Sequence, residues 1–319
     1  MKTAIKFGLA LLAVLPLAAA EFAEVDIKST KDGAIQKAMW WQPKAAKNEE
    51  IPLLVMLHTW SGDYQQKKWK EIGLFESEKR DWAVIHPDFR GRNRTPKSCA
   101  SEFAVQDILD AVAWARRQCK IDDRRIYLVG TSGGGHMSLV MAGRAPEIWA
   151  GVSAWVPISD LAQWHRDCSV SKNVRYAREM EMAFGGKPGD SKKVDAEYRQ
   201  RSPLTHLPKA KGVALDINAG IHDGYTGSVP SIHSVYAFNV VASANGHSAL
   251  RLTDAQIKHI REKRKVPVAL SKERVDEVGR IREVLFRRSA GPARLTLFDG
   301  GHEGDMPTAI KWLAAQSKK

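Results

Sequence analysis

The feature that most constrains the fold is a run of small residues, Gly130-Thr131-Ser132-Gly133-Gly134, between two regular segments. The apolar residues 126–129 before it predict a buried strand, and residues 135–145 after it predict a helix. A G-x-S-x-G sequence at a strand-to-helix junction is typical of a nucleophile elbow, in which a serine occupies a strained turn with small neighbours. The helix N-terminus also offers backbone N–H groups to a developing oxyanion. We therefore predict that Ser132 is a nucleophile rather than part of an ordinary tight turn.

The segments around this junction alternate between strand and helix, as a doubly wound, mostly parallel α/β sheet requires. The sequence predicts a leading antiparallel pair of strands, then parallel strands separated by helices, and a closing helix. Predicted strands cover residues 22–28, 34–42, 52–57, 82–86, 125–129, 151–156, 213–219 and 293–298. Predicted helices cover residues 66–80, 100–118, 135–145, 232–244, 254–263, 272–288 and 305–316.

Residues 158–211 do not fit this alternation and are longer than an ordinary connection between elements. We predict that they form a helical lid over the site. No internal repeat or linker divides the chain, so residues 21–319 are expected to form a single domain in which the lid is an insertion.

The first 20 residues are typical of a signal peptide. Lys2 and Lys6 introduce a short apolar core over residues 7–17, and the alanines at 18–20 supply a cleavage site before Glu21. The apolar core is shorter than the roughly 20 residues that span a bilayer. We expect an exported protein, secreted or periplasmic, with no membrane association after removal of the signal peptide.

The chain is strongly basic, with a net charge of +13, of which about +11 remains without Lys2 and Lys6. Such a charge suits nucleic acid, an anionic surface or an acidic polymer as a partner. No nucleic-acid-binding motif accompanies it, and the basic residues are spread over predicted helices. We therefore predict a solvated basic surface and no nucleic-acid partner, and the sequence makes no prediction of the oligomeric state.

A serine nucleophile at an elbow is followed along the chain first by an acid and then by a histidine that acts as the base. The loop 299–304 directly follows the last predicted strand and contains His302. We therefore predict His302 as the general base. His233, His247 and His259 lie in helical or inter-helix sequence and are expected at the surface.

The acid is expected in the loop after the preceding parallel strand, 213–219. That loop contains Asp223, which would fix the tautomer of His302 and stabilise its imidazolium form. The alternative is that Asp223 is only a turn residue. Asp216 lies within the strand itself, and Asp299 is too close to His302 along the chain.

One oxyanion donor is expected to be the backbone N–H of Gly133. The second should come from a loop after an earlier strand, where the sequence reads Leu57-His58-Thr59-Trp60-Ser61-Gly62. Esterases often carry glycine directly after the histidine of this loop, so Thr59 is a departure. The N–H of Trp60 is our first choice for the second donor, and that of Thr59 is the alternative.

With these residues in place, the chain resembles the α/β-hydrolase superfamily and, within it, the catalytic domain of the prolyl oligopeptidase family. The resemblance runs over most of residues 52–313. It rests on Asp88-Phe89-Arg90-Gly91, Asp107, the elbow at 130–134, Arg144-Ala145-Pro146-Glu147, Asp223 with Val229-Pro230, and Gly301-His302. This resemblance implies an α/β-hydrolase fold and a serine hydrolase that acts on amide or ester bonds without a metal or other cofactor.

Two departures from the peptidases of that family influence the expected substrate. Only about 30 residues separate the predicted cleavage site from the first core strand, where those peptidases usually carry a β-propeller. The interval from Asp223 to Val229-Pro230 is also longer than their usual Asp-x-x-Val-Pro. We therefore expect hydrolysis of a small-molecule or polysaccharide carboxylic ester, of the acetyl-xylan or feruloyl type. A prolyl-oligopeptidase-like serine peptidase is the alternative, and a non-catalytic binding protein on the same scaffold is a third hypothesis.

Two groups of side chains are candidates for substrate contacts. Trp155, Trp164 and His165 flank the entrance of the predicted lid, and their aromatic faces suit sugar or aryl groups. The alternative is that the two tryptophans pack the lid onto the core. Arg92 and Arg94 lie in a loop at the carboxyl edge of the sheet and suit a carboxylate or sulfate group on the substrate.

Three cysteines in an exported chain favour one disulfide and one free thiol. A helix over residues 100–118 would hold Cys99 and Cys119 roughly 28 Å apart, too far for a bond. Cys99 and Cys168 both follow predicted strands and should lie near the same sheet edge. We predict a Cys99–Cys168 disulfide with Cys119 free. The spacing of cysteine and histidine indicates no zinc site.

Overall fold

The computed structural model describes residues 20–318, and the strands within this range form one sheet. In chain order the strands are β1 (Ala23–Lys28), β2 (Ile35–Trp41), β3 (Ile51–Leu57), β4 (Ala83–Pro87), β5 (Ile121–Thr131), β6 (Gly151–Trp155), β7 (Leu215–Gly220), β8 (Val284–Ala290) and β9 (Ala293–Phe298). They are arranged in the order β1-β2-β4-β3-β5-β6-β7-β9-β8. Six neighbouring strands of the sheet run parallel, in the spatial order β4, β3, β5, β6, β7 and β9. Antiparallel β1 and β2 complete one edge, and antiparallel β8 the other.

Helices cover both faces of the sheet. They are α1 (Lys67–Glu78), α2 (Glu102–Gln118), α3 (Gly133–Arg144), α4 (Leu161–Ser169), α5 (Val174–Phe184), α6 (Lys192–Arg201), α7 (Pro203–His206), α8 (Ile232–Ala244), α9 (Asp254–Lys263) and α10 (Met306–Leu313). The predicted doubly wound, mostly parallel α/β fold is therefore confirmed.

Strand β3 illustrates why the central strands are apolar throughout. Its side chains alternate between two cores, as the period of a strand requires. Leu53, Val55 and Leu57 pack into the core that contains α2, α3 and α8. Leu54 and Met56 pack into the core that contains α1 and α10. Because both faces are covered, all seven residues of the strand are buried.

Residues 158–211, called the lid segment below, contain α4 to α7. Helices α4, α5 and α6 pack mainly against one another, whereas α7 packs against α3 and α8. Trp164, Met180 and Tyr198 of the lid segment form a separate apolar cluster with Trp60 and with Val229, which lie in loops after β3 and β7. The lid segment is therefore attached to the loops at the carboxyl ends of the parallel strands.

The helix predicted over residues 272–288 is wrong. A short 3-10 helix ends at Glu273, Gly279 adopts a φ of +87°, and β8 begins at Val284. The apolar residues in this stretch are spaced as they would be along one face of a helix, which explains the wrong prediction. In the structure, the burial of Val284 and Phe286 follows the two-residue period of a strand paired with β9.

The predicted Cys99–Cys168 disulfide is also wrong, because every cysteine in the described range is a free thiol. Cys99 and Cys168 do share the apolar cluster of the lid segment. A disulfide, however, requires Cβ atoms roughly 4 Å apart with a defined torsion. Two cysteines can therefore lie near the same edge of a sheet without meeting the geometry of a disulfide.

Residues 1–19, which hold almost all of the predicted signal peptide, lie outside the described residues. Within residues 20–318, no helix combines the length and the apolar character needed to cross a bilayer.

Candidate active site

Ser132 occupies the sharp turn between β5 and α3. Its backbone has a φ of +60° and a ψ of −118°, a conformation that residues with a side chain rarely adopt. The Ser132 N–H donates to the carbonyl oxygen of Trp155, at 2.8 Å, which ties the turn to the end of β6. A Cβ at Gly130 would overlap the backbone of Gly134. The glycines of the elbow therefore allow the turn to close and leave the Ser132 side chain at the edge of the sheet.

His302 and Asp223 lie beside Ser132. His302 follows β9 and Asp223 follows β7, so the parallel strands bring all three residues to one sheet edge. His302 Nε2 is 2.8 Å from Ser132 Oγ, and His302 Nδ1 is 2.7 Å from Asp223 Oδ2. The Asp223 carboxylate is 1% exposed, whereas the imidazole is 22% exposed. The arrangement joins a hydroxyl, an accessible imidazole and a buried carboxylate in one chain of hydrogen bonds.

The Asp223 carboxylate is held by backbone groups. Its Oδ1 accepts hydrogen bonds from the N–H groups of Gly224, at 2.8 Å, and Val229, at 3.1 Å. These bonds fix the plane of the carboxylate, so that Oδ2 faces the imidazole of His302. The alternative interpretation of Asp223 as an ordinary turn residue does not account for the Oδ2 contact.

The residues between Asp223 and Val229 form a covering loop, 224–228, that reaches the lid segment. The indole N–H of Trp164 donates to the carbonyl of Ser228, at 2.7 Å, and the side-chain amide of Asn173 donates to the carbonyl of Gly227, at 3.2 Å. The covering loop, which is longer than the corresponding interval of the family's peptidases, therefore connects Asp223 to the lid segment.

The backbones of Gly133 and Trp60, the two preferred oxyanion donors, lie against each other. A Cβ on Gly133 would overlap the backbone nitrogen of Trp60, so these two residues are in close contact. Neither N–H donates a hydrogen bond to another group of residues 20–318. The Thr59 N–H, by contrast, donates to Oε1 of Gln66, at 3.0 Å. The geometry therefore favours Gly133 and Trp60 as the donors over Thr59.

The expectation that Trp155, Trp164 and His165 contact substrate is corrected by the structure. Trp155 and Trp164 are each 1% exposed and His165 is 6% exposed. The indole of Trp155 donates to Ser153 Oγ, and His165 Nε2 is 2.8 Å from Oε1 of Glu181. Trp164 packs in the apolar cluster of the lid segment, and the His165 ring lies edge-on to that of Tyr198 in the same segment. Trp155 instead packs in the core that contains α1 and α10. All three side chains are therefore packing residues, and the alternative of packing the lid describes Trp164 but not Trp155.

Arg92 and Arg94 are exposed on a loop beside the candidate oxyanion hole. Asn93 between them is buried, and its N–H donates to the carbonyl of Trp60, at 3.0 Å. The nearby Arg90 is different, because its guanidinium contacts the carboxylates of Asp32 and Asp107. Arg92 and Arg94 therefore lie close to the site, whereas Arg90 holds the surrounding loops together.

His233 is not at the surface as predicted. It is fully buried under the lid segment, where the N–H of Ser159 donates to its Nδ1, at 3.3 Å. Glu179 was not anticipated as a site residue. Its carboxylate accepts from the indole N–H of Trp60, at 2.9 Å, across 119 positions of sequence. No local pattern could have indicated such a contact.

Within residues 20–318, no group of three or more histidine, cysteine, aspartate or glutamate side chains is arranged to hold a metal ion. The chemistry that the described residues support is that of the Ser132, His302 and Asp223 side chains with the adjacent N–H groups.

The model of the prolyl oligopeptidase family matches residues 78–275, which is more than half of the chain. The chain belongs to the prolyl oligopeptidase family. It is a serine hydrolase with the α/β-hydrolase fold, as the sequence predicted. The matched range includes Ser132 and Asp223, whereas His302 lies beyond it.

Solved structures of other proteins share the fold of this family member. An acylaminoacyl peptidase in complex with Z-Gly-Gly-Phe-chloromethyl ketone is 17% identical, with a TM-score of 0.56 over 70% of this chain and 35% of that one. The Pyrococcus horikoshii acylaminoacyl peptidase is 17% identical, with a TM-score of 0.55 over 72% of this chain and 36% of that one. A Mycobacterium tuberculosis puromycin-hydrolyzing peptidase is 19% identical, with a TM-score of 0.56 over 73% of this chain and 36% of that one. The chain thus matches about a third of the length of each.

Proposed function

We propose that this chain is a serine peptidase that hydrolyses the amide bond joining an aminoacyl group to an amine. The observation that carries the proposal is the hydrogen-bonded chain from Asp223 through His302 to Ser132. Membership of the prolyl oligopeptidase family and the peptidases among its structural neighbours favour an amide over an ester as the substrate bond.

The proposed mechanism follows from the positions of these groups. With His302 Nδ1–H donating to Asp223, the lone pair of Nε2 accepts the proton of Ser132 as Oγ attacks the carbonyl carbon. The N–H groups of Gly133 and Trp60 donate to the oxyanion that forms. The imidazolium then gives its proton to the leaving amine, and water hydrolyses the acyl-enzyme by the same steps.

Ester hydrolysis, which we expected from the sequence, is the second candidate. The observation that favours it is the covering loop 224–228, because its length departs from the peptidase pattern at the acid. The same mechanism opens an ester, with an alcohol in place of the amine as leaving group. Acetyl and feruloyl esters of carbohydrate remain the ester substrates to test.

The test is a substrate panel assayed with the wild-type protein. It contains aminoacyl p-nitroanilides with free and acetylated amino groups, p-nitrophenyl acetate, methyl ferulate and acetylated xylan. We expect turnover of at least one class of nitroanilide. Turnover of esters alone would support the second candidate and overturn the first.

We also propose that the protein is exported, on the strength of the basic, apolar and small-residue regions in its first 20 residues. N-terminal sequencing of the mature protein should begin at Glu21. Recovery of the protein with an intact N-terminus from the cytoplasm would contradict export.

A further inference from the structure

We propose that Glu179, on helix α5 of the lid segment, is a positioning residue that holds the oxyanion donor Trp60 in place. The inference deepens the proposed function and rests on its assignment of the Trp60 N–H to the oxyanion hole. It gives the lid segment a part in transition-state stabilisation beyond covering the site.

The side chain of Trp60 is fixed by contacts with the lid segment. It is 2% exposed, and its indole N–H donates to Oε2 of Glu179, at 2.9 Å. Its ring meets that of Trp164 edge-on, with the ring centroids 4.7 Å apart. The backbone of Trp60 meanwhile lies against Gly133. A single residue therefore joins the lid segment, through its side chain, to the candidate oxyanion hole, through its backbone.

A second contact reinforces the first. The Arg175 side chain, one turn before Glu179 on α5, donates to Oγ of Ser61, at 3.3 Å. Its guanidinium Nε is 3.7 Å from Oε1 of Glu179. The loop of residues 58–62 after β3, which we call the oxyanion loop, is thus bonded to α5 at two consecutive residues, Trp60 and Ser61.

The effect on catalysis follows from the geometry that an oxyanion hole requires. Its donors must already point at the position of the oxyanion, and a shift of about 1 Å costs up to about 100-fold in rate. The carbonyl of Trp60 is fixed separately by the N–H of Asn93. With Glu179 holding the indole, the residue is anchored at both its backbone and its side chain, which limits rotation of the N–H.

Two other roles for Glu179 are open to experiment. The carboxylate could merely satisfy a buried indole N–H and so stabilise the fold, or it could bind the amino terminus of a substrate. Glu179 is only 14% exposed, and both its oxygens already face donors from Trp60 and Arg175. These contacts favour a positioning role over recognition of a substrate ammonium group.

The test compares Glu179→Ala, Glu179→Gln and Trp60→Phe. The readout is the second-order rate constant for fluorophosphonate labelling of Ser132, which requires the oxyanion hole but no particular substrate. We expect Glu179→Ala and Trp60→Phe to lower labelling about tenfold or more. Glu179→Gln should keep most of the rate, because its amide oxygen still accepts from the indole. The double variant Glu179→Ala with Trp60→Phe should be no slower than either single variant.

Arg178→Ala is the matched control, because Arg178 is an exposed neighbour of Glu179 on the same helix. It should label at the wild-type rate. A lower Tm for Glu179→Ala with unchanged labelling would overturn the positioning role. The positioning role would also be overturned if Glu179→Ala raised KM only for substrates with a free amino group. If no nitroanilide is hydrolysed but the labelling rates follow this pattern, the peptidase assignment is wrong while the positioning role of Glu179 stands.

Discussion

Gly227 lies directly against His302. A Cβ at position 227 would overlap both Cβ of His302 and Oδ1 of Asp223. At position 227 the covering loop therefore lies so close to Asp223 and His302 that only glycine fits without displacing them. This close contact shields the Asp223 carboxylate from water and limits the positions open to the imidazole.

Gly227→Ala should lower kcat by about 100-fold, because the added methyl group must displace either His302 or the covering loop. The control is Gly246→Ala, at a φ of +81° with no atom within 4 Å of the added methyl. That change should cost about 1 kcal/mol of stability and leave kcat unchanged. If Gly227→Ala kept the wild-type kcat on a substrate that the enzyme hydrolyses, the covering loop would not constrain His302 in this way.

The buried His136 should make stability depend on pH. Its Nε2 is 2.8 Å from the carbonyl oxygen of Arg201, and burial lowers its pKa from 6.5 to about 4. Between these pH values the unfolded chain binds a proton that the folded chain does not. The free energy of unfolding therefore falls as the pH drops from 6.5 towards 4, by roughly 2 kcal/mol at pH 5 from this group.

Urea unfolding of the wild type and of His136→Gln between pH 5 and 8 measures this contribution. Below pH 6 the wild type should lose stability more steeply than the variant, by roughly 1.4 kcal/mol per pH unit. Above pH 7 the two slopes should agree, since the histidine is then neutral in both states. Equal slopes at pH 5 to 6 would show that His136 titrates in the folded protein as it does in the unfolded chain.

Arg92 and Arg94 should favour substrates that carry a negative charge near the reacting bond. Both are exposed, and Asn93 ties their loop to Trp60. Arg92→Ala with Arg94→Ala should raise KM for a carboxylate-bearing substrate by about two- to fivefold, because an exposed ion pair contributes at most about 1 kcal/mol. KM for a matched neutral substrate should not change, and added salt should reduce the difference. An equal rise for both substrates would exclude charge recognition.

The three thiols should be protected in the folded protein but available after unfolding. Burial raises the pKa of Cys99 and Cys168 to about 12 and that of Cys119 to about 11. At pH 8 the thiolate fraction is therefore small, and alkylation of the native protein should be slow. In denaturant without reductant, mass spectrometry should find all three cysteines alkylated. Two cysteines that react only after reduction would restore the disulfide.

The parts of the site that the sequence predicted share a simple property. Ser132, Asp223 and His302 each lie in a short loop after a parallel strand, and such strands end at one edge of the sheet. Chain order and strand recognition were therefore sufficient to propose them together. The loop of Trp60 also follows a parallel strand, but the choice of Trp60 over Thr59 depends on the contact of Trp60 with Gly133 and on the hydrogen bond from Thr59 to Gln66.

The parts that the sequence did not predict depend on packing between distant segments. The apolar spacing around β8 suits a helix as well as a strand, and only its pairing with β9 distinguishes them. Trp164 and His165 have the residue types of a binding surface, but the apolar cluster of the lid segment buries them. The bond between Trp60 and Glu179 joins the oxyanion loop to a helix whose position no local pattern indicates.

The proposed role of Ser132 as the nucleophile of an amide hydrolase is tested by the rates at which the wild type and Ser132→Ala hydrolyse an aminoacyl p-nitroanilide. We predict measurable hydrolysis by the wild type and a loss of at least about 10³-fold in the variant, because removing the nucleophile leaves only binding and the oxyanion hole. Wild-type activity in Ser132→Ala, at an unchanged Tm, would contradict the claim that Ser132 is the nucleophile.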